Sequence, residues 1–148
     1  MAETEMGTRV VNAARDWIDT PYRHQASLRG VGADCLGLLR GVWRDLRGAE
    51  PETPPAYSPD WAEATGRETM AEAASRHLVA IGLAELQPGD VALFRMKRSG
   101  PARHCGIVAT GPSGPTLIHA WSRHSVAEVP FDAGWQRRLA FAFRFPEI

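Results

Sequence analysis

One cysteine and two histidines are the side chains of this 148-residue chain best suited to nucleophilic chemistry. Cys35 follows Asp34, a residue type that caps helices, and precedes apolar residues at helical spacing. This pattern predicts a helix that begins at the cysteine and stops at Gly48. The first turn of a helix favours the thiolate form of a cysteine, because its N–H groups lie at the positive end of the helix dipole. The alternative is a buried structural cysteine on an amphipathic helix.

The two histidines are expected to lie beside each other. His104 begins one predicted strand (104–110), and His119 lies near the end of the next (116–121), with a turn between them. The start of an antiparallel strand is adjacent to the end of its partner, so both rings can face the helix tip that carries Cys35. In that arrangement His104 serves as the base and ion-pair partner of the thiolate, and His119 orients the ring of His104.

Four alternatives remain for these residues. The first is that His104 and His119 are ordinary histidines of the core with satisfied hydrogen bonds. Cys105 directly follows His104, and with Cys35 and His119 the set has the composition of a Cys₂His₂ zinc site. Successive strand residues point to opposite faces, however, so one ion would have difficulty reaching both side chains, and we predict no metal. A disulfide between the two cysteines would consume the nucleophile. Tyr22, the fourth candidate for chemistry, could instead be an ordinary residue at the edge of the core.

The elements that must position these residues follow from periodicity and from turn residues. We predict helices at 8–18, at 35–47 and at about 60–81, the last starting at Ser58–Pro59 and closed by Gly82. Residues 22–31 are predicted as a loop, and the stretch 49–82 as a proline-rich and helical insert. A type II turn is predicted at Leu86–Asp90. The predicted strands are 91–96, 104–110, 116–121, 125–130 and 138–145.

Helices first and strands last predict an α+β fold, with N-terminal helices packed on an antiparallel β-sheet, in one domain spanning 1–148. The last strand alternates, with Leu139, Phe141, Phe143 and Phe145 on its predicted buried face. Gly37 and Gly41 lie four residues apart on the cysteine helix, which predicts close packing of its backbone against another element.

The composition excludes several function classes. Hydrophobic residues make up 44% of the chain and charged residues 23%, and the net charge is zero, so nucleic acid and anionic membranes are not expected partners. No stretch approaches the roughly 20 apolar residues of a membrane span. The acidic, polar N-terminus is unlike a secretory signal, so we expect synthesis in the cytoplasm.

Five short motifs together resemble the NlpC/P60 family of cell-wall cysteine peptidases. They occur in the family's order, and the resemblance covers about residues 10–121. The motifs are Thr20-Pro21-Tyr22, Asp34-Cys35-Leu36-Gly37, Leu86-Gln87-Pro88-Gly89-Asp90, His104-Cys105-Gly106-Ile107-Val108 and Leu117-Ile118-His119-Ala120. The resemblance implies a papain-like fold, in which a nucleophile helix packs on the sheet that carries the histidines.

The resemblance also implies a role for each candidate. Cys35 would be the nucleophile, His104 its general base and later acid, and His119 the polar third residue. The Tyr22 hydroxyl would lie near the oxyanion, beside the backbone N–H of Cys35, where donors typically contribute a few kcal/mol. Neither a metal nor a cofactor is implied.

Two positions depart from the family pattern. Leu36 stands where the family usually has serine, and Cys105 stands where it usually has a valine-like residue. Neither departure removes a proposed catalytic group.

The substrate that the resemblance implies is the peptide stem of peptidoglycan, cleaved between D-γ-glutamyl and meso-diaminopimelate. Such a stem carries free carboxylates, which arginine binds well. Arg23, Arg29 and Arg103, together with Arg123, lie in or near the predicted cleft loops, although each could be a solvated surface residue. Trp121 is a candidate wall of the substrate pocket, unless it packs in the core.

The Asp-Cys-Leu-Gly motif, with no wall-binding module, resembles the wall peptidases of tailed phages and gene transfer agents. This resemblance implies tail-tip or hub proteins as partners and action on the target cell wall in the periplasm. Two alternatives are a catalytically silent plug of a tail hub and an acyl or amide hydrolase with a non-wall substrate.

Overall fold

The computed structural model describes residues 4–52, 54, 66–121 and 123–147. In chain order the elements are α1 (Glu5–Arg15), β1 (Ser27–Leu28), β2 (Gly32–Ala33), α2 (Cys35–Arg47), α3 (Thr69–His77), β3 (Val79–Ile81), β4 (Val91–Arg95), β5 (Ala102–Gly111), β6 (Gly114–Trp121), β7 (His124–Pro130), α4 (Ala133–Arg138) and β8 (Leu139–Arg144).

Six strands form one sheet in the order β3-β8-β4-β5-β6-β7, and every neighbouring pair is antiparallel. Helices α1 and α2 pack on one face of this sheet over a large apolar cluster that includes Val10, Leu38 and Ile107. A smaller cluster around Phe94 and Leu117 lies on the other face. The predicted α+β class, with helices packed on an antiparallel sheet, is therefore confirmed.

Glycines bring α2 close to its neighbours, as their spacing predicts. A Cβ atom at Gly41 would lie 1.9 Å from the ring of Trp17, and one at Gly37 would lie 1.8 Å from the carbonyl oxygen of Ala26. Both distances are far below van der Waals contact. The helix that carries Cys35 is thereby pressed against α1 on one side and against the preceding loop on the other.

The predicted type II turn before β4 is also present. Gly89 has a φ of +96°, and the N–H of Asp90 donates to the carbonyl of Gln87 over 3.0 Å. A Cβ atom at Gly89 would lie 2.4 Å from the Cα of Gly7, so this glycine also permits α1 to contact the turn directly.

Three predicted helix boundaries are wrong. One of them is the end of the first helix, which lies at Arg15 rather than at 18. The first helix begins at Glu5 rather than 8, because the Thr4 hydroxyl accepts a hydrogen bond from the N–H of Gly7 over 2.9 Å and caps it. The helix predicted over 60–81 ends at His77, and Val79–Ile81 pairs with β8 instead. Pairing at the sheet edge satisfies backbone groups that local periodicity does not reveal. The predicted start at Ser58–Pro59 lies outside the described residues.

Three further features differ from the sequence prediction. The predicted loop 22–31 contains β1, which pairs with β2 in a small separate hairpin. Helix α4 has only six residues, too few to show a helical period, and Asp132 caps it by accepting from the N–H of Trp135 over 3.1 Å. A register shift in the β4–β8 pair places Leu139 opposite Phe94, so Leu139 does not share a face with Phe141.

Candidate active site

Cys35 is the first residue of α2, where the helix dipole favours an anion. The side chain is free and half-buried. The N–H of Cys35 is among the first amides of the helix, which have no partner within the helix itself. A free thiol and an outward-pointing amide therefore occupy the same helix tip.

Asp34 organises the loop next to this tip. One carboxylate oxygen accepts from the N–H of Gly37 over 2.7 Å, and the other accepts from the N–H of Gln25 over 2.8 Å. The side chain is buried, so these bonds satisfy a charge that would otherwise be costly. Asp34 serves the turn and the cap, as the sequence predicts, and fixes the loop that precedes β1.

The two histidines meet as predicted from their strand positions. Nε2 of His104 on β5 lies 2.8 Å from Nδ1 of His119 on β6, and both side chains are buried. With Nε2 engaged by His119, the other ring nitrogen of His104 is the one left for Cys35. The imidazole of His104 lies near enough to the thiol of Cys35 to lower its pKa, both as a hydrogen-bond partner and through its charge. Sulfur, base and orienting ring therefore form one continuous chain of contacts.

The surroundings of Cys35 stabilise its thiolate. A hydrogen bond from the Cys105 thiol is the largest cause of a pKa held well below the usual range for cysteine, and burial opposes it. A hydrogen bond from His104 and the positive charge on that ring lower the pKa of Cys35 further. The nucleophile is thus partly ionised at a pH where a free thiol is protonated.

His119 is held neutral. Burial is the main cause that lowers the pKa of His119 to about 3, and the charges of His104 and His124 act in the same direction. A neutral imidazole has one N–H and one acceptor nitrogen. When His104 is an imidazolium, both of its nitrogens donate, so Nδ1 of His119 must be the acceptor and its proton must lie on Nε2.

Aromatic rings enclose the histidine pair. The ring centroid of His104 lies 5.1 Å from Trp121, 5.4 Å from Trp135 and 5.9 Å from Phe94. Trp135 also lies 5.0 Å from His119. These rings limit the rotation of both imidazoles. Aromatic rings also interact favourably with a positively charged imidazole. The sequence analysis missed Trp135 and Phe94; the only available signal was an aspartate three residues before Trp135, which could have indicated a capped short helix.

Tyr22 lies beside the nucleophile because the backbone holds it there. It forms a parallel bridge with Ala33, two residues before Cys35. Burial raises the pKa of Tyr22, and the charges of Asp34 and Cys35 raise it further against the opposing charge of Arg103. The phenol therefore stays protonated and can donate to an oxyanion that forms at Cys35.

The candidate substrate-binding residues separate into two groups. Arg103 is half-buried, and its charge acts on Tyr22, while Trp121 contacts the ring of His104. The aliphatic part of Arg23 packs along Gly32, and a guanidinium nitrogen of Arg29 lies 4.0 Å from the carboxylate of Asp16 at the end of α1. Arg103 and Trp121 are therefore at the site, whereas Arg23 and Arg29 contact the hairpin and α1.

Two structural findings bear on metal and membrane binding. Among the described residues, no three His, Cys, Asp or Glu side chains are grouped so that they could hold a metal ion. In the same part of the chain, no helix has the length and apolar character needed to cross a bilayer.

Comparison with solved structures identifies the fold as that of the NlpC/P60 proteins. An NlpC/P60 family protein from Bacillus cereus ATCC 10987 matches 94% of this chain with a TM-score of 0.65 and 22% identity, and this chain spans 40% of that protein. The NlpC/p60 domain of the peptidoglycan hydrolase SagA matches 94% of this chain with a TM-score of 0.59 and 22% identity, over 98% of its own length.

A third similar structure is an N-acetylmuramoyl-L-alanine amidase from Bacteroides uniformis ATCC 8492, which matches 97% of this chain with a TM-score of 0.64 and 14% identity over its whole length. No protein-family model and no curated protein matches this chain. At these identities the likeness is one of fold, and the predicted papain-like NlpC/P60 architecture is confirmed.

Proposed function

We propose that this chain is a cysteine peptidase of the NlpC/P60 family that hydrolyses an amide bond in the peptide stem of peptidoglycan. The observation that carries this proposal is the 2.8 Å contact between the imidazoles of His104 and His119, with His104 near enough to Cys35 to lower the pKa of its thiol. A base that is oriented on one side and bonded to a thiol on the other is the arrangement that acyl transfer requires. The peptidoglycan hydrolases with the same fold support the choice of substrate.

The reaction follows from this geometry. The Cys35 thiolate attacks the amide carbonyl carbon, and the oxyanion accepts from the N–H of Cys35 and from the hydroxyl of Tyr22. His104 gives its proton to the leaving amine as the carbon–nitrogen bond breaks, which leaves a thioester on Cys35. His104 then takes a proton from water as the water attacks the thioester. Collapse of the second tetrahedral intermediate releases the carboxylic acid and regenerates the thiolate and imidazolium pair.

Within the stem we propose the bond between D-γ-glutamyl and meso-diaminopimelate. Diaminopimelate presents a free carboxylate, and the positive charge of half-buried Arg103 acts on Tyr22 and opposes the rise of its pKa. Trp121 supplies an apolar wall beside His104. Digestion of purified peptidoglycan by the wild type and by Cys35→Ala tests the activity, and mass spectrometry of the released fragments identifies the bond.

The wild type should release fragments that end at the cleaved amide, and Cys35→Ala should release none. Equal products from both proteins would contradict the peptidase proposal and favour a catalytically silent plug. Hydrolysis of simple thioesters or amides by the wild type, with intact peptidoglycan left unchanged, would favour an acyl or amide hydrolase with a non-wall substrate.

We also propose that the peptidase works as a component of a phage-like tail tip, where it opens the target wall during DNA delivery. The Asp-Cys-Leu-Gly motif, with Leu36 in place of serine, supports this proposal by resemblance. Purification of tail particles from producing cells is the test. The protein should co-purify with tail-tip and hub proteins, and its presence only as free protein in the cytoplasm would contradict the proposal.

A further inference from the structure

A second cysteine lies directly against the proposed nucleophile. Cys105 is 1% exposed, and its sulfur lies 3.3 Å from the backbone carbonyl oxygen of Cys35. It belongs to the buried apolar cluster on which Cys35 packs. His104 directly precedes Cys105 on β5. The same strand therefore places two side chains near Cys35: the imidazole of His104 and, from within the core, the thiol of Cys105.

The Cys105 thiol has one hydrogen, which in the structure it donates to the backbone carbonyl oxygen of Cys35 over 3.3 Å. The sulfur of the same residue is the second possible acceptor, because Cys105 lies near enough to it to lower its pKa. Hydrogen bonds to charged acceptors are stronger than those to neutral ones, so the hydrogen points to the sulfur when Cys35 is a thiolate. It points to the carbonyl oxygen when the sulfur is neutral. The bond to Cys35 and burial raise the pKa of Cys105, so Cys105 keeps its proton.

We propose that Cys105 is a positioning residue, whose buried thiol donates to the sulfur of Cys35 and holds the thiolate beside His104. This inference rests on the proposed function, in which Cys35 is the nucleophile. No proton leaves Cys105 at any step. Its donor engages the sulfur before attack, returns to the carbonyl oxygen in the thioester, and engages the sulfur again when the thiolate departs.

Other ionisable groups also face Cys35, and the test must leave them unchanged. His104 faces it from β5, Asp34 from the helix cap and Tyr22 from the loop before β1, while Arg103 acts on Tyr22. Substitution of Cys105 alters none of them directly. A difference between Cys105 variants in the titration of Cys35 therefore reports on the thiol donor.

The experiment compares Cys105→Val with Cys105→Ser. Valine keeps a small apolar side chain without a donor, and serine keeps a donor. The rate of iodoacetamide modification at Cys35 is measured from about pH 4 to 9 in a phosphine reductant, with peptide mass spectrometry to separate the two cysteines. We expect Cys105→Val to react about tenfold more slowly than the wild type on the acid side of its profile, because one hydrogen bond to a charge is lost.

Cys105→Ser should remain within about threefold of the wild type, since one charge-assisted bond replaces another of similar strength. A valine variant that titrates like the wild type would overturn the proposal, and so would a serine variant that titrates like the valine variant. Thermal unfolding of each variant identifies any that does not fold. In that case Cys105→Ala replaces the valine variant and is judged by the same outcomes.

Alkylation requires no substrate, so the two proposals can fail separately. If Cys35 is alkylated more slowly in the valine variant but the wild type cuts no peptidoglycan, the role of Cys105 is supported and the proposed function is contradicted. Cleavage by the wild type, with identical alkylation profiles for all variants, would retain the function and contradict the role of Cys105.

Discussion

At the scale of single residues, the site depends on one imidazole that is kept neutral. His119 is buried among aromatic rings, and Trp135 lies 5.0 Å away. Burial disfavours the charged form, and the neighbouring positive charges act in the same direction. His119 can therefore accept the Nε2 proton of a charged His104 throughout the neutral pH range, and no carboxylate is needed as the third member of the site.

Neutral His119 should make stability depend on pH. Its pKa is about 3 when folded, against 6.5 for an ordinary histidine, so between these values the unfolded chain binds the extra proton. The contribution of neutral His119 to the free energy of unfolding is therefore complete above about pH 6.5 and is lost as the pH falls towards 3. His119→Gln should remove this part of the slope. Melting temperatures measured between about pH 4 and 7 test the expectation.

The matched control is His124→Gln, since His124 is exposed on the neighbouring strand β7. The charge of His124 is the smallest of the three causes that lower the pKa of His119, so this variant should keep most of the pH dependence of the wild type. Parallel melting curves of the wild type and His119→Gln across this range would mean that His119 carries its proton in the folded state, and the proposed tautomer would then be wrong.

At the scale of elements, α2 places Cys35 only because its backbone can approach α1. Helix propensity alone predicts that Gly41→Ala stabilises the protein by about 1 kcal/mol. The structure predicts the opposite sign, because the new methyl group would lie 1.9 Å from the buried ring of Trp17. Overpacking of this kind typically costs about 1–3 kcal/mol. Urea unfolding of the variant tests the sign, and increased stability would contradict the packing described here.

The insert before β4 also contacts the nucleophile helix. An apolar cavity of about 190 Å³ lies between α2 and α3, and Leu36, Trp43 and Met70 contribute to its lining. Leu36 stands where the resembling family has serine, and the cavity gives this leucine an apolar environment. Leu36 therefore faces the insert, and its difference from the family's serine changes none of the proposed catalytic groups.

Helix α4 supports the histidines with a single side chain. Trp135 lies 5.4 Å from the ring of His104 and 5.1 Å from Trp121. Trp135→Ala should lower kcat for peptidoglycan fragments at least about tenfold, because a loosened base loses its alignment with the thiol. Arg137→Ala, at an exposed position of the same helix, is the control and should leave kcat unchanged. If Trp135→Ala keeps the wild-type kcat, the aromatic enclosure is dispensable for the reaction.

At the scale of the whole molecule, ion pairs connect segments that are far apart in the chain. Asp90, in the turn before β4, is buried and accepts two hydrogen bonds from Arg144 at the end of the last strand, each over 2.9 Å. Arg15 of α1 pairs with Glu128 of β7 over 2.9 Å, with the guanidinium exposed and the carboxylate half-buried. The first pair involves a buried carboxylate and the second an exposed guanidinium, so their contributions to stability should differ.

Asp90→Ala should lower the free energy of unfolding by about 3 kcal/mol, because it removes a buried charge partner and an acceptor for the N–H of Gln87. Arg15→Gln should cost no more than about 1 kcal/mol, as is usual for exposed pairs. Chemical denaturation of both variants compares the two pairs. Equal losses would mean that burial of Asp90 does not determine its contribution.

The sequence by itself determined the helix that begins at Cys35 and the five strands β4 to β8. Asp34, the apolar spacing after Cys35 and Gly48 define a helix through local capping and periodicity, which act within one or two turns. The same reasoning placed His104 and His119 as neighbours, because a short turn leaves a hairpin few alternative registers. It also predicted the close approach of α2 at Gly37 and Gly41.

The tertiary structure alone decided the surroundings of these residues. Helix α4 is too short to show a period, and the capping Asp132 could indicate a short helix but not that Trp135 contacts the histidines. The pairing of Val79–Ile81 with β8 depends on a partner about 60 residues away in the chain, which local propensity does not contain. Burial of Cys105 against Cys35 joins residues 70 positions apart. Local sequence encodes capping and periodicity, whereas burial and the pKa values that follow from it arise only when distant segments pack together.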